Sequence, residues 1–239
     1  MKLAGLVLAA GRGARFGGPI KQTALLNGRA LVSHAARAAL GARLAPVLVV
    51  LGHEAVEVRA ALIRDLALAH DLAPRRDPDP DLDLDPGALT PSDAAPSDAA
   101  QTRAASARGL RFVDAPRYGD GIAESLKAGI AVMPDDVDGV FVLLSDMPFI
   151  TPDLLEKLAA ASRAAPGALA AAPTWAGQRG NPVLVMRRAF PLVGDLEGDK
   201  GLGQILTRRA DEVILVAADD DACLRDIDTP GALDAARGA

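Results

Sequence analysis

Apolar and polar positions along the chain fall into two alternating periods. Leu3 to Ala9 and Pro46 to Gly52 are uninterrupted aliphatic runs, with the length and make-up of strands buried on both faces of a parallel sheet. Between them, Leu31 to Leu40 is Ala-rich with apolar residues at helical spacing, so the first fifty residues read as a β-α-β unit. Glu54 to His70 returns to the helical period, with Val56, Ala60, Leu62, Ile63, Leu66 and Ala67 as its apolar stripe. The periodicity then stops. Residues 71–108 hold six of the 17 prolines, a near-duplicated P-S-D-A-A and almost no large apolar side chain, which predicts a disordered Pro/Asp-rich insertion over 74–108.

Order resumes with a short strand at Leu110 to Val113, a helix over Gly121 to Met133 and a strongly apolar strand at Gly139 to Leu144. That strand ends in Ser145-Asp146-Met147-Pro148. Thr151-Pro152-Asp153 starts the next helix, because a threonine oxygen accepts from orphan amides and proline suits the first helical position. Further strands are predicted at Ala168 to Pro173, Pro182 to Met186 and Glu212 to Val216, and further helices at Gly201 to Arg209 and Pro230 to Ala236. The alternation predicts an α/β fold with a mostly parallel sheet, a single domain over 1–239, and a ligand site beyond the carboxyl ends of the strands.

Composition narrows the function classes. Half of the 239 residues are apolar but only 3% are aromatic, so the core is built from Ala, Val, Leu and Ile. The net charge of −5 argues against a protein that coats nucleic acid or an anionic membrane. One cysteine, Cys223, allows neither an intramolecular disulfide nor a Cys-rich zinc site. With no cleavage pattern after Leu3 to Ala10 and no apolar run long enough to span a bilayer, a cytoplasmic protein is expected.

The chemistry concentrates after the first strand, in Leu8-Ala9-Ala10-Gly11-Arg12-Gly13-Ala14-Arg15-Phe16-Gly17-Gly18-Pro19-Ile20-Lys21. Glycines let backbone N–H groups approach phosphate oxygens, and the three cations neutralise them; the bland alternative is a flexible turn. A dinucleotide fingerprint needs glycine where Phe16 stands, and a Walker loop needs lysine where Pro19 stands. Asp146 ends the most apolar strand, where an acid either caps the following helix or contributes to a magnesium site, since Mg²⁺ takes one or two carboxylates plus substrate phosphate oxygens. A second carboxylate comes from Asp226-Ile227-Asp228, whose alternation puts Asp226 and Asp228 on one face.

Six segments in order carry a resemblance: L-A-A-G-x-G-x-R-F-G-G-x-x-K at the start, Y-G-D-G-I-A-E-S-L-K-A-G from Tyr118, S-D-M-P at 145–148, R-G-N-P-V from Arg179, G-D-K-G from Gly198 and D-I-D-T-P from Asp226. Together they resemble the MobA-like nucleotidyltransferases, the family of the molybdenum cofactor cytidylyltransferases and the related guanylyltransferases. The resemblance implies a Rossmann-like three-layer fold of the nucleotide-diphospho-sugar transferase type and a Mg²⁺-dependent transfer of CMP from CTP to the phosphate of molybdopterin, releasing pyrophosphate. It implies that Leu8, Ala9, Ala10, Gly11, Arg12, Gly13, Arg15 and Lys21 hold the nucleotide together with Ser125 and Asp146, with Lys21, Arg15 and Asp146 as catalytic groups. Asp146 and Asp228 become the metal ligands, and Asn181 and Asp199 contact the acceptor. Ala10-Gly11, where the guanylyl branch carries Gly-Gly, favours CTP.

The remaining candidates read more simply. His34 lies within the first helix as a structural residue. His53 follows the second strand on the ligand edge, and Trp175 either packs or shields the acceptor. Cys223 has no nearby His or Lys to lower its pKa. The other expectations are a guanylyltransferase or other NTP transferase, and, from other classes, an NAD(P)-dependent oxidoreductase or a non-catalytic protein that assembles a partner molybdoenzyme.

Overall fold

The computed structural model describes residues 1–18, 20–71 and 109–238; the insertion expected over 74–108 lies outside them. The first strand, β1 (Leu3–Leu8), is followed by a loop, a small hairpin of β2 (Leu25–Leu26) and β3 (Arg29–Ala30), and α1 (Leu31–Gly41). Then come β4 (Val47–Leu51), α2 (Ala55–Asp71), β5 (Leu110–Asp114), α3 (Ile122–Ala131), β6 (Gly139–Leu144) and α4 (Pro152–Ala164). The last part holds β7 (Ala170–Trp175), β8 (Gln178–Arg179), β9 (Val183–Met186), α5 (Phe190–Gly194), α6 (Leu202–Arg208), β10 (Val213–Ala217) and α7 (Pro230–Arg237).

The main sheet runs β10-β7-β9-β6-β1-β4-β5, with β8 paired to β7. β1 lies parallel to both β4 and β6 at its centre, β4 to β5, and β10 to β7. β9 is antiparallel to both neighbours, so the sheet is mixed but mostly parallel. Its direction was not encoded in the Val183 to Met186 pattern, because a strand buried on both faces reads the same either way.

Strand residues alternate between two cores. Val7, Val49, Leu51, Phe141 and Leu143 face one layer with α1, α2 and α4, while Leu6, Leu8, Leu48, Val50, Val140 and Val142 face α3, α5 and α6 on the other. Helix starts follow the expected chemistry at two sites. Thr151 accepts from Leu154 N at 3.3 Å, and Thr229 from Ala232 N at 3.2 Å.

One helix face differs from the expected one. Leu62, Ile63 and Leu66 of the expected stripe are buried, but Val56 is 76% exposed and Val58, Ala61 and Asp65 are buried in addition, so the buried face includes 58, 61, 62, 65 and 66, at i, i+3, i+4, i+7 and i+8. Asp65 explains the rotation. Its Oδ2 accepts from Ala30 N at 2.7 Å and from the Ser33 hydroxyl at 2.8 Å, so a carboxylate from a neighbouring helix satisfies the start of α1, whose own cap residue is an alanine. His34 is structural as expected: its Nε2 lies 3.0 Å from Leu26 O, and burial lowers its pKa.

A third, small core decides where the site loop lies. Phe16 packs with Leu26, Leu31, Ile227 and Leu233, joining the loop after β1 to the segment before α7. Phe16 is 3% exposed. Truncating it leaves a cavity where the two chain segments meet, so Phe16→Ala is expected to cost about 3 kcal/mol, read as a lower urea midpoint with an unchanged m-value.

Candidate active site

The carboxyl ends of β1 and β6 open on a cavity of about 550 Å³. One wall is the loop after β1. Gly13 has φ +59°, and a Cβ there would come within 2.8 Å of Lys21 Cβ, so the loop turns tightly only with glycine at this position. The fold of the loop is fixed further by Phe16 N donating to Gly13 O at 2.8 Å and by Gln22 Nε2 donating to Gly11 O at 2.6 Å.

Lys21 closes the floor. Its side chain is 8% exposed, and its ammonium donates to Asp146 Oδ2 at 2.7 Å and to Asp228 Oδ1 at 2.6 Å. Arg15, largely exposed, reaches Asp228 Oδ2 at 2.7 Å. Asp146 is held by its neighbours on both sides: Ser145 N donates to Leu8 O at 3.2 Å, and Ile227 N to Asp146 O at 2.8 Å. The two helices that follow the acids are capped by Thr151 and Thr229, so neither Asp146 nor Asp228 serves as a helix cap.

Electrostatics separates the acids. Burial pushes the Asp228 carboxyl up, but the hydrogen bond and charge of Lys21 and the charge of Arg15 outweigh it and hold the group below the usual carboxylate range. Asp226 goes the other way, raised by burial and by the charges of Asp228 and Asp146. The floor thus gathers two cations, Lys21 and Arg15, and two acids, Asp146 and Asp228, while Asp226 lies outside the cavity lining.

The opposite wall is set by a close backbone approach. Gly121 has φ +116°, and a Cβ there would fall 2.2 Å from the carbonyl of Gly198; Ala123 N donates to Gly198 O at 3.1 Å. This contact seats the loop before α6 on the start of α3 and carries Asp199 to the cavity edge.

Of the residues expected from the sequence, Leu8, Ala10, Gly11, Arg12, Gly13, Arg15, Lys21, Ser125, Asp146, Asp199 and Asp228 all line this one cavity. Ala9 does not: it is buried behind the wall, its N–H donating to Val50 O at 2.9 Å. Asn181 lines an adjoining cavity of about 250 Å³ that shares Leu8, Ile122 and Leu144 with the first. His53 holds the Ala10 carbonyl through its backbone N–H, while Trp175 and Cys223 line neither cavity. Cys223 is buried, which pushes its thiol pKa up. Sequence reasoning missed Gln22 and Tyr118. A glutamine after a lysine carries no distinguishing pattern, whereas Tyr118 stands in a quoted motif and is the lone tyrosine of the chain.

A divalent ion fits the floor. Asp146 Oδ1 is buried and has no hydrogen-bond partner, which is the condition of a ligand oxygen awaiting a cation. Among the described residues no group of three or more acids, histidines or cysteines forms a protein-only metal cage. Mg²⁺ does not ask for one, since one or two carboxylates suffice when phosphate oxygens complete the shell.

Fold and site together define an α/β protein that takes its ligand at the carboxyl edge of the sheet. Residues 5–83 and 93–213 match the MobA-like NTP transferase domain, and the chain belongs to that family; it is a nucleotidyltransferase with a nucleotide substrate. A comparison with curated proteins finds no match. Among solved structures, the homologue of Mycobacterium tuberculosis Rv0371c from Mycobacterium sp. strain JC1 aligns over 100% of this chain and 97% of its own, at 24% identity and TM-score 0.70. Rv0371c from M. tuberculosis H37Rv in complex with manganese aligns over 100% and 98%, at 20% identity and TM-score 0.67. The molybdopterin-guanine dinucleotide biosynthesis protein A of Archaeoglobus fulgidus aligns over 100% and 97%, at 18% identity and TM-score 0.58. These likenesses show a shared fold. No helix among the described residues is long and apolar enough to cross a membrane.

The Asp226 environment has a measurable sign. Its folded pKa is raised, so its ionisation opposes folding as pH rises through that value, and the penalty vanishes below the unfolded pKa of about 3.9. Asp226→Asn is expected to raise Tm relative to the native protein at pH 7 and to leave it unchanged at pH 3.5, as followed by circular dichroism melts across pH.

Proposed function

We propose that this cytoplasmic transferase moves CMP from CTP to the phosphate of molybdopterin, releasing pyrophosphate, with Mg²⁺ as its metal. The observation that carries the reading is Lys21 seated between Asp146 and Asp228 on the floor of a cavity walled by Arg12, Arg15 and Gly13. The choice of CTP is supported by Ala10. It lines the cavity at the position where the guanylyl branch of the family carries glycine. The acceptor is supported by the adjoining cavity at Asn181 and by the fold shared with a molybdopterin-guanine dinucleotide biosynthesis protein.

In this reading an acceptor phosphate oxygen attacks the α-phosphorus in line, and pyrophosphate leaves with added negative charge. The acceptor phosphate is already ionised near neutral pH, so no general base is needed. That agrees with a cavity whose lining, among the described residues, includes no histidine. The protein's work is positioning and charge stabilisation. Gly11 and Gly13 let backbone approach the phosphates; Lys21 and Arg15 present cations to oxygens that gain charge; Asp199 and Asn181 orient the acceptor. Asp146, through its unpartnered Oδ1, and Asp228 would hold Mg²⁺, which supplies neutralisation of phosphate charge when bound; manganese in the Rv0371c structure supports a divalent ion. A nicotinamide oxidoreductase is disfavoured because Phe16, standing where a dinucleotide fingerprint needs glycine, is buried as a packing anchor.

The test is pyrophosphate release from CTP, GTP and ATP, each with Mg²⁺ and molybdopterin, by native protein and by Asp146→Asn. The expected result is release with CTP alone and a loss of at least about 100-fold in the variant. Release with GTP would make the chain a guanylyltransferase. Undiminished activity in Asp146→Asn would overturn the site assignment, and nucleotide binding without release from any triphosphate would favour a non-catalytic assembly role.

A further inference from the structure

Three cations stand in the loop after β1, and they are not equivalent. Lys21 and Arg15 are both paired with carboxylates on the cavity floor. Arg12 makes no ion pair among the described residues; its guanidinium lies 5.9 Å from the centre of the Tyr118 ring. Arg12 and Tyr118 both line the same cavity. The guanidinium also reaches the backbone beyond Tyr118, its Nη2 lying 3.6 Å from where a Cβ on Gly119 would stand.

The ring is itself held. Tyr118 is half-buried and packs against the core on the α3 side of the sheet. Gly52, at the end of β4, has no room for a side chain on this side. A Cβ there would fall 2.5 Å from Tyr118 Cγ and 2.8 Å from its Cβ, the root of the side chain and not its movable tip. The His53 ring stands 6.4 Å away, tilted by 44°. A free arginine on a glycine-rich loop would sample many rotamers. An aromatic face fixed by the sheet restricts it electrostatically without neutralising its charge, which a carboxylate partner would do.

We propose that Tyr118 is a positioning residue for the nucleotide's triphosphate, acting through Arg12: the ring holds an uncompensated guanidinium in the cavity lining, where the phosphate chain meets it. The inference rests on the nucleotidyltransferase reading of the cavity, and it does not depend on which base or acceptor is used. Ser125 and Ile122, one to two turns further along, line the same wall and stay free to face the base and ribose.

The experiment measures dissociation constants for CTP and for inorganic tripolyphosphate at matched free Mg²⁺, with steady-state KM and kcat, in native protein, Tyr118→Leu, Tyr118→Phe, Gly52→Ala, Arg12→Met and the Tyr118→Leu/Arg12→Met pair. Tyr118→Leu is expected to weaken both ligands by about fivefold, raising KM for CTP while kcat stays near native. Tyr118→Phe keeps native binding, since the ring face remains. Gly52→Ala, which displaces the ring root, reproduces the loss. In the Arg12→Met background the tyrosine substitution adds nothing.

Weakening of CTP with unchanged tripolyphosphate binding would place the ring against the base and overturn the proposal. Additive losses in the double variant would overturn it equally. Should Tyr118→Leu fail to fold, native affinity for tripolyphosphate in a folded Gly52→Ala protein would do the same. If the native protein binds neither CTP, GTP nor tripolyphosphate, the nucleotide reading of the cavity falls, and this inference with it.

Discussion

The site depends on one ammonium group. Lys21 Nζ sits on the floor of the cavity between Asp146, 125 residues away in sequence, and Asp228, 207 residues away. A lysine buried to this degree loses much of its hydration and is tolerated only when opposite charge and hydrogen bonds replace the water. Two carboxylates do so, and Arg15 balances the second of them. The same exchange ties the loop after β1 to the end of β6 and to the segment before α7, three pieces of chain that the sheet alone does not hold in register at their tips.

Packing around that group makes the geometry reproducible. Phe16 and Ile227 lie in one small apolar cluster, so the residues beside them, Arg15 and Asp228, are brought together by hydrophobic contact before any charge is counted. Ile227 N also bonds the Asp146 carbonyl, setting the two acids a fixed distance apart. On the far wall the Gly121–Gly198 approach leaves no space for a Cβ, and this is why a loop rich in small residues can deliver Asp199 to the same cavity. A nucleotidyltransferase needs such preorganisation because the transferred group offers the protein little covalent chemistry to perform.

Much of this was legible in the residue pattern because the relevant strands are buried on both faces. β1, β4 and β6 read as plain apolar runs, and their carboxyl ends marked the loop and Asp146. Direction was not legible for β9, whose four residues look the same parallel or antiparallel, and α5 and β8 are too short to leave a period. On α2, Leu62, Ile63 and Leu66 were legible as buried, but Val58 and Ala61 were not, because Asp65 broke the apolar stripe; a carboxylate that caps another helix is invisible until the two helices are side by side. Phe16 was read only as a departure from a glycine fingerprint, whereas its burial is what anchors the loop. Asp146 could by position have been a helix cap; the structure shows Thr151, as its sequence context predicts, and Thr229 in that role instead. Tyr118 stood in a recognised motif, but its meeting with Arg12 is a tertiary contact between residues 106 positions apart and has no local signal.

The floor formed by Lys21, Asp146 and Asp228 is proposed as the place where triphosphate and metal meet. The most direct measurement is a crystal structure with Mn²⁺ and a non-hydrolysable CTP analogue, with the metal located by its anomalous signal. An anomalous peak bound by Asp146 and Asp228, with the α-phosphate beside Lys21, is the expected result. A manganese peak away from both carboxylates, or the analogue seated in a cavity that Lys21 does not line, would contradict it.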